Sequence, residues 1–404
     1  MRYLVLLASV IVQACLGGVY AWSEFAKALK ADYGFSQAQT QIIFGCLIAA
    51  FTVSMVFAGK ILHRLGPRWI AAIGGVLFAA GYGLASLSGG EFWLLFPALS
   101  LLVGAGTGFG YVCPLATCMK WFPNHRGLVT GIAVGGFGGG AVVLTSSAEA
   151  LMSGGMDVLT VFAWVGLVYG VAIVASAMAL KVPGQIGSGA STHLRPIGAL
   201  LGDRYFLALI AGMFSGTFAG LLVVGNLKDI ATSAGLHSVA TLSISVFAIG
   251  NAAGRISWGH LADRLGDRSI PITLASLAAA LALLGLAAFV PLFLVATFLT
   301  AFGFGACFVV YAARVASHYG ADHVAAVYPP VFLAYGAAGI AGPWLGGLLF
   351  DTTKSYTPAI LLSVAVVAAG VLGCVALLRA SRPPEGELTP AETLAASQSP
   401  TAED

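Results

Sequence analysis

The stretch SVATLSISVFAIGNAAGRISWGHLA, residues 238–262, decides the fold. It is long enough to cross a bilayer, which needs about 20 apolar residues. Its one formal charge, Arg255, lies well inside the run, not at an end. A cation at that depth costs at least ~2.5–3.5 kcal/mol, so it needs a partner or a water-filled cavity. Asn251 precedes it by four residues and shares its helix face. Arginine offers a planar fork that can grip a carboxylate through two parallel hydrogen bonds. The expectation is that Arg255 holds a small organic anion halfway across a membrane.

The rest of the chain agrees with a membrane setting. Of 404 residues, 59% are hydrophobic and only 9% charged, against roughly 25% charge in soluble domains. Mean hydropathy is +0.94. A soluble core is excluded. The six cysteines all fall in apolar segments without zinc-ligand or redox spacing, so they read as small buried hydrophobes. The N-terminal run MRYLVLLASVIVQACLGGVYAW lacks a small-residue cleavage site and reads as a first spanning helix, not a signal peptide.

Twelve spans are predicted, at 3–27, 38–62, 69–88, 93–119, 127–148, 158–180, 205–228, 238–262, 269–290, 291–316, 324–350 and 356–380. They are numbered 1 to 12 below. Their pattern predicts an all-α membrane protein with two six-helix halves, 1–180 and 205–380. A polar linker, 181–204, joins the halves, and a Pro/Glu/Ser/Ala-rich tail, 381–404, is expected to be disordered. Lys and Arg set the orientation. With both termini in the cytoplasm, fourteen fall on the inner side and four (Lys27, Lys30, Lys228, Lys354) on the outer. This predicts a multi-pass protein of the plasma (inner) membrane, its termini cytoplasmic. A monomer is expected.

A ten-residue motif repeats between the halves. GKILHRLGPR, residues 59–68, follows span 2, and GHLADRLGDR, residues 259–268, follows span 8. Both fit G-x-x-x-[D/H]-R-x-G-x-R. Glycine closes a tight turn, and the charges can bind neighbouring helix ends. The inner-loop candidates are Gly59, Arg64, Gly66, Arg68, Gly259, Asp263, Arg264, Gly266 and Arg268. This pattern resembles the major facilitator superfamily, which carries it in the loops after spans 2 and 8. His63 stands where that family usually has Asp.

Glycine crowds the middle of spans 4 and 5. Gly136-Phe137-Gly138 and its neighbours match a dinucleotide fingerprint, but no soluble strand precedes them, so the match is empty. Pairs such as Gly131 and Gly135 instead let helices approach closely. No hydrolase, metalloprotease or phosphate-loop motif is present, and the short basic loops lack the aromatic platform of a nucleic-acid binder. No enzyme activity, cofactor or metal is expected.

Further site candidates follow from span position. Tyr20 and Glu24 are one turn apart in span 1; the first is a hydrogen-bond donor, the second a proton acceptor. Tyr111 lies in span 4, Asn226 at the end of span 7 and Phe308 in span 10. In span 11, Tyr328, Phe332, Tyr335 and Gly339 keep the rhythm of one helix face. Pro329-Pro330 suggests an irregular helix end facing a cavity.

YAWSEF (20–25), KWFPNHRGLVTG (120–131) and GNAAGR (250–255) resemble the oxalate/formate antiporter and monocarboxylate transporter branch of that superfamily. The resemblance implies that Arg255 takes a substrate carboxylate. Monocarboxylate transporters carry Asp where Asn251 stands and Lys in span 1 where Glu24 stands. Oxalate antiporters carry a second cation in span 11, at a position that is Ala338 here. One buried arginine balances one carboxylate, and a dianion would leave a costly buried charge. A lactate- or pyruvate-like monocarboxylate, carried with a proton, is therefore expected; carboxylate exchange and a ligand-binding sensor are the alternatives.

Overall fold

The structure, a computed structural model, describes residues 1–183 and 200–381. The expected disorder of the tail, and most of the predicted linker, lie outside the described residues.

Among the described residues, ten helical stretches are long and apolar enough to cross a membrane. Two of them, Ile42–Ser86 and Leu242–Gly285, are 45 and 44 residues long, about twice what one crossing needs. Each turns back at a glycine of the repeated motif. Gly66 has φ 77° and Gly266 has φ 58°, backbone that a side chain would strain. With these two breaks the described residues make twelve crossings, close to the predicted ranges. No strand is present among the described residues.

Local chemistry explains several ends. Ser36 opens span 2 with a capping box: its hydroxyl accepts from the Gln39 amide and the Gln39 side chain accepts from its own. Asp157 and Asp203 cap spans 6 and 7 in the same sense. Span 1 is two helices, Arg2–Gly17 and Trp22–Tyr33, joined by a tight turn at Gly18–Ala21. Span 10 likewise breaks between Val290–Ala306 and Val310–His318.

The double proline of span 11 corrects an expectation. It marks no helix end, since the helix runs unbroken over Val324–Thr353 and Pro329 and Pro330 lie buried inside it. Proline lacks an N–H, so Pro329 frees the carbonyl four residues earlier, that of Ala325. That carbonyl faces Gly59 of span 2, where a Cβ would lie 1.8 Å from it.

The halves close on each other at one end, the end that the basic residues assign to the cytoplasm, called inner below. Span 8 lies along span 5 with backbone against backbone. A Cβ on Gly259 would sit 2.3 Å from the Gly127 carbonyl, and one on Gly131 would sit 2.4 Å from the Arg255 carbonyl. Asp263 of the second motif accepts from the amides of Gly127 and Leu128, at 2.7 and 3.0 Å, and so caps span 5 across the seam. Arg126 donates to the Ala316 carbonyl at 2.7 Å, and Lys120 pairs with Asp322 at 2.6 Å.

Further out the backbone contact between spans 5 and 8 loosens. Gly139 of span 5 meets nothing, and Gly140 meets Ala14 of its own half. In span 11, Gly336 packs on Thr52 across the seam, but Gly342 packs on Phe218 of its own half. This arrangement is closed inward.

Candidate functional site

The site forms where the contact between spans 5 and 8 loosens. Glycines set its geometry. Gly250, Gly254 and Gly305 bring spans 8 and 10 into backbone contact: Cβ atoms there would lie 2.5, 2.1 and 2.3 Å from the carbonyls of Phe298, Phe302 and Asn251. On span 5, Gly136 and Gly140 press on Val10 and Ala14 of span 1. Phe137, between them, then faces the centre. Arg255, Tyr111, Phe137 and Phe308 each lie roughly ten residues, about 15 Å of helix, from their inner ends.

Arg255 is 2% exposed. Its Nε donates to Asn251 Oδ1 at 2.9 Å, and its Nη1 donates to the backbone carbonyl of Val134, in the other half, at 2.9 Å. Its guanidinium carbon stands 4.3 Å from the ring centre of Phe308 and 5.8 Å from that of Phe137. Such contacts contribute about 0.5–2 kcal/mol each. Both hydrogen-bond acceptors are neutral, and arginine has five N–H groups. The charge is therefore uncompensated, and N–H groups remain for an anion. Among the described residues no acid is buried; the buried charged side chains are Arg255 and Arg314.

Aromatic rings close around the cation. Tyr20, Phe51, Tyr111, Phe137, Phe308 and Phe332 line the space beside Arg255, and they leave no room for a water molecule. The Tyr111 ring packs on Phe51, Phe137 and Phe332 with centres 5.3–5.5 Å apart. Tyr335 packs on Phe308 and Phe332. On the outer side, the hydroxyls of Tyr20 and Tyr335 hydrogen-bond to each other and bridge the halves. Among the described residues, Asn251 Nδ2 is buried without a hydrogen-bond partner, and the Tyr111 hydroxyl, also buried, has no closer polar neighbour than a weak contact with the Tyr328 hydroxyl. Buried polar groups of this kind are costly unless a ligand or water satisfies them.

The structure thus gathers Arg255, Asn251, Tyr20, Tyr111, Tyr335, Phe332 and Phe308. It does not gather Asn226. That residue ends span 7, where Nδ2 donates to the Leu222 carbonyl and Oδ1 accepts from Tyr356 of span 12. Its polarity serves a helix end, which corrects the expectation that it contacts substrate. Glu24 lies one turn beyond Tyr20 and is half-buried. Of the motif residues, Gly59, Gly259 and Asp263 touch the opposite half, and Gly66 and Gly266 make turns. Arg64, Arg68, Arg264 and Arg268 form no ion pair among the described residues. Phe51, Phe137 and the Val134 carbonyl were not foreseen. Phe137 had a signal: a single large ring amid glycines must be the knob of that helix.

The Major Facilitator Superfamily matches residues 4–328 and 226–401 of the chain. The chain belongs to this superfamily. It is 28% identical to the uncharacterized MFS-type transporter YhjX of Escherichia coli, over 84% of this chain and 86% of that one. It is 27% identical to the oxalate:formate antiporter of Oxalobacter formigenes, over 95% and 93%. Human monocarboxylate transporter 11 is also 27% identical, over 90% and 82%. Among solved structures, the transporter FucP in its outward conformation superposes with a TM-score of 0.72 at 14% identity, covering 93% of this chain and 98% of FucP. The protein is therefore a multi-pass integral membrane transporter with the major facilitator fold.

Proposed function

We propose that this transporter carries small monocarboxylates of the lactate and pyruvate type, by alternating access, across an inner membrane with its termini in the cytoplasm. One observation carries the reading: Arg255 is a buried cation, and among the described residues no acid is buried beside it. A substrate carboxylate supplies the missing charge. Its two oxygens accept in parallel from the guanidinium, while Asn251 Nδ2 and the Tyr111 hydroxyl are donors for a further oxygen. The rings of Phe308, Phe332 and Phe137 form the apolar wall. The similarity to the oxalate:formate antiporter and to monocarboxylate transporter 11 supports the same substrate class.

The neutral partners of Arg255 bear on coupling. Moving the empty site means moving an uncompensated charge through a closed, dry centre, which is costly. Loading with one carboxylate removes that cost. This favours exchange of one carboxylate for another. Proton symport is the second reading, and Glu24, the acid nearest the site on its outer side in span 1, is its proton acceptor.

Uptake into proteoliposomes tests both. A panel of mono- and dicarboxylates is offered with and without internal pyruvate, and with and without a pH gradient. Monocarboxylate uptake that needs internal carboxylate and ignores the gradient supports exchange. Uptake driven by the gradient into empty vesicles, lost in Glu24→Gln, supports symport. Near-normal uptake by Arg255→Ala would sink the substrate assignment itself.

A further inference from the structure

We infer that Arg255 is also the latch of the inner closure, holding spans 5 and 8 together until an anion takes its N–H groups. The inference rests on the monocarboxylate reading only for the identity of the anion. The bond from Nη1 to the Val134 carbonyl joins the two halves. It stands at the outer end of the contact between spans 5 and 8, and the other contacts of that pair of spans described above lie inward of it; the Tyr20–Tyr335 bridge lies on its outer side. Going inward from the Val134 bond come Gly131 against the Arg255 backbone, Gly127 against Gly259, and Asp263 on the first amides of span 5.

For the site to open inward this seam must part, and the Val134 bond must break with it. The bond is charge-assisted and buried, and bonds of that kind are the strong ones. A carboxylate arriving from the outer side meets the same guanidinium. It draws the fork toward itself and neutralises the charge that strengthens the hold on Val134. Occupancy and release of the inner seam are thereby linked at one side chain. An empty site keeps its inner end shut, because the Val134 carbonyl is then one of the two acceptors available to Arg255.

The sign of the effect separates this role from its rivals. If Arg255 were only a ligand for substrate, neutralising it would leave the empty protein's conformation unchanged. If its burial cost dominated, neutralising it would tighten the closed form, since an expensive buried charge would be gone. A latch predicts the opposite: neutralisation opens the inner end without any substrate.

The experiment measures the inner-end distance between spin labels on His63→Cys and Arg264→Cys. Both are exposed inner-end positions on opposite halves, in full-length protein whose six native cysteines are replaced. The wild-type empty protein is expected in the short-distance, inward-closed form. Arg255→Gln, empty, should raise the ratio of open to closed about tenfold or more, the scale of one charge-assisted bond. Arg255→Met, which cannot hydrogen-bond, should do the same and guards against glutamine reaching Val134 itself. Pyruvate should shift the wild type in the same direction and leave both variants unmoved. An unchanged or shortened distribution in both empty variants overturns the latch. If they open but pyruvate fails to move the wild type, the latch stands and the substrate reading falls.

Discussion

Gly131 and Arg255 meet backbone to backbone: a Cβ at Gly131 would lie 2.4 Å from the Arg255 carbonyl and 3.2 Å from the Cα of Ile256. Neither neighbour is a flexible side-chain tip, so a methyl there must push the two helices apart. Overpacking of this kind costs about 1–3 kcal/mol. Gly131→Ala should therefore weaken the inner closure and lower the transport rate about tenfold or more. Gly139→Ala is the control, because nothing lies within contact distance of it, and its rate should stay within about twofold of wild type. Initial uptake rates per folded molecule check both; equal rates for the two variants would refute a tight seam.

Asp263 joins the halves through two amides at the start of span 5. A carboxylate on a helix N-terminus is favoured by the helix dipole, and losing such a cap costs about 0.5–2 kcal/mol. Asp263→Asn should open the inner end measurably, by severalfold in the open-to-closed ratio. The equivalent position in the first motif is His63, exposed, and the N-terminus of span 11 has no side-chain cap. His63→Asp should supply one and shift the ratio toward closed. Spin-label distances from other inner-end pairs read both shifts, which must have opposite signs.

The Lys120–Asp322 pair crosses the same seam but is a weaker tie. Asp322 is well exposed, and its carboxyl is held below the usual value chiefly by its hydrogen bond to Lys120. A depressed carboxyl contributes above its free value of about 4 and loses that contribution as pH falls through the lowered one. Between pH 6 and 8 the pair is therefore constant. Lys120→Met should change the closed population by at most about 1 kcal/mol, equally at pH 6, 7 and 8. A pH-dependent difference in that window would mean that another group is coupled to the pair.

How far the chain could be read follows from which interactions leave a trace in residue type. Arg255 was legible because a cation in an apolar run has few explanations, and Asn251 because one helical turn separates the two. The repeated motif marked both long helices that turn back at a glycine. Asn226 misled because a polar residue near a span end looks the same whether it faces substrate or caps its own helix. The double proline misled for a related reason: the missing N–H is certain, but whether the helix breaks depends on what receives the freed carbonyl, and Gly59 receives it. The Val134 carbonyl could not be read at all, since a backbone acceptor carries no side-chain signature. Phe51 was hidden among many aromatic residues whose facing is set only by packing.

Ala338 offers the sharpest test of substrate charge. It is fully buried in span 11, three residues beyond Tyr335, whose ring borders Phe308 and Phe332. The spacing puts it on the same side of the helix, one turn toward the outer end. A lysine there would extend its ammonium into the region above Arg255 and make a second cation. Two cations can balance two carboxylates, whereas with one a dianion keeps an unpaired buried charge that costs several kcal/mol. Ala338→Lys should thus raise the preference for a dicarboxylate such as oxalate over pyruvate by about tenfold or more, measured as the ratio of the two uptake efficiencies in one preparation. Overpacking will lower both rates, since the site has no spare room, so the ratio and not the rate decides. A ratio that stays at the wild-type value would show that the number of buried cations does not set the charge of the substrate, and the case for a monocarboxylate would then lose its physical basis.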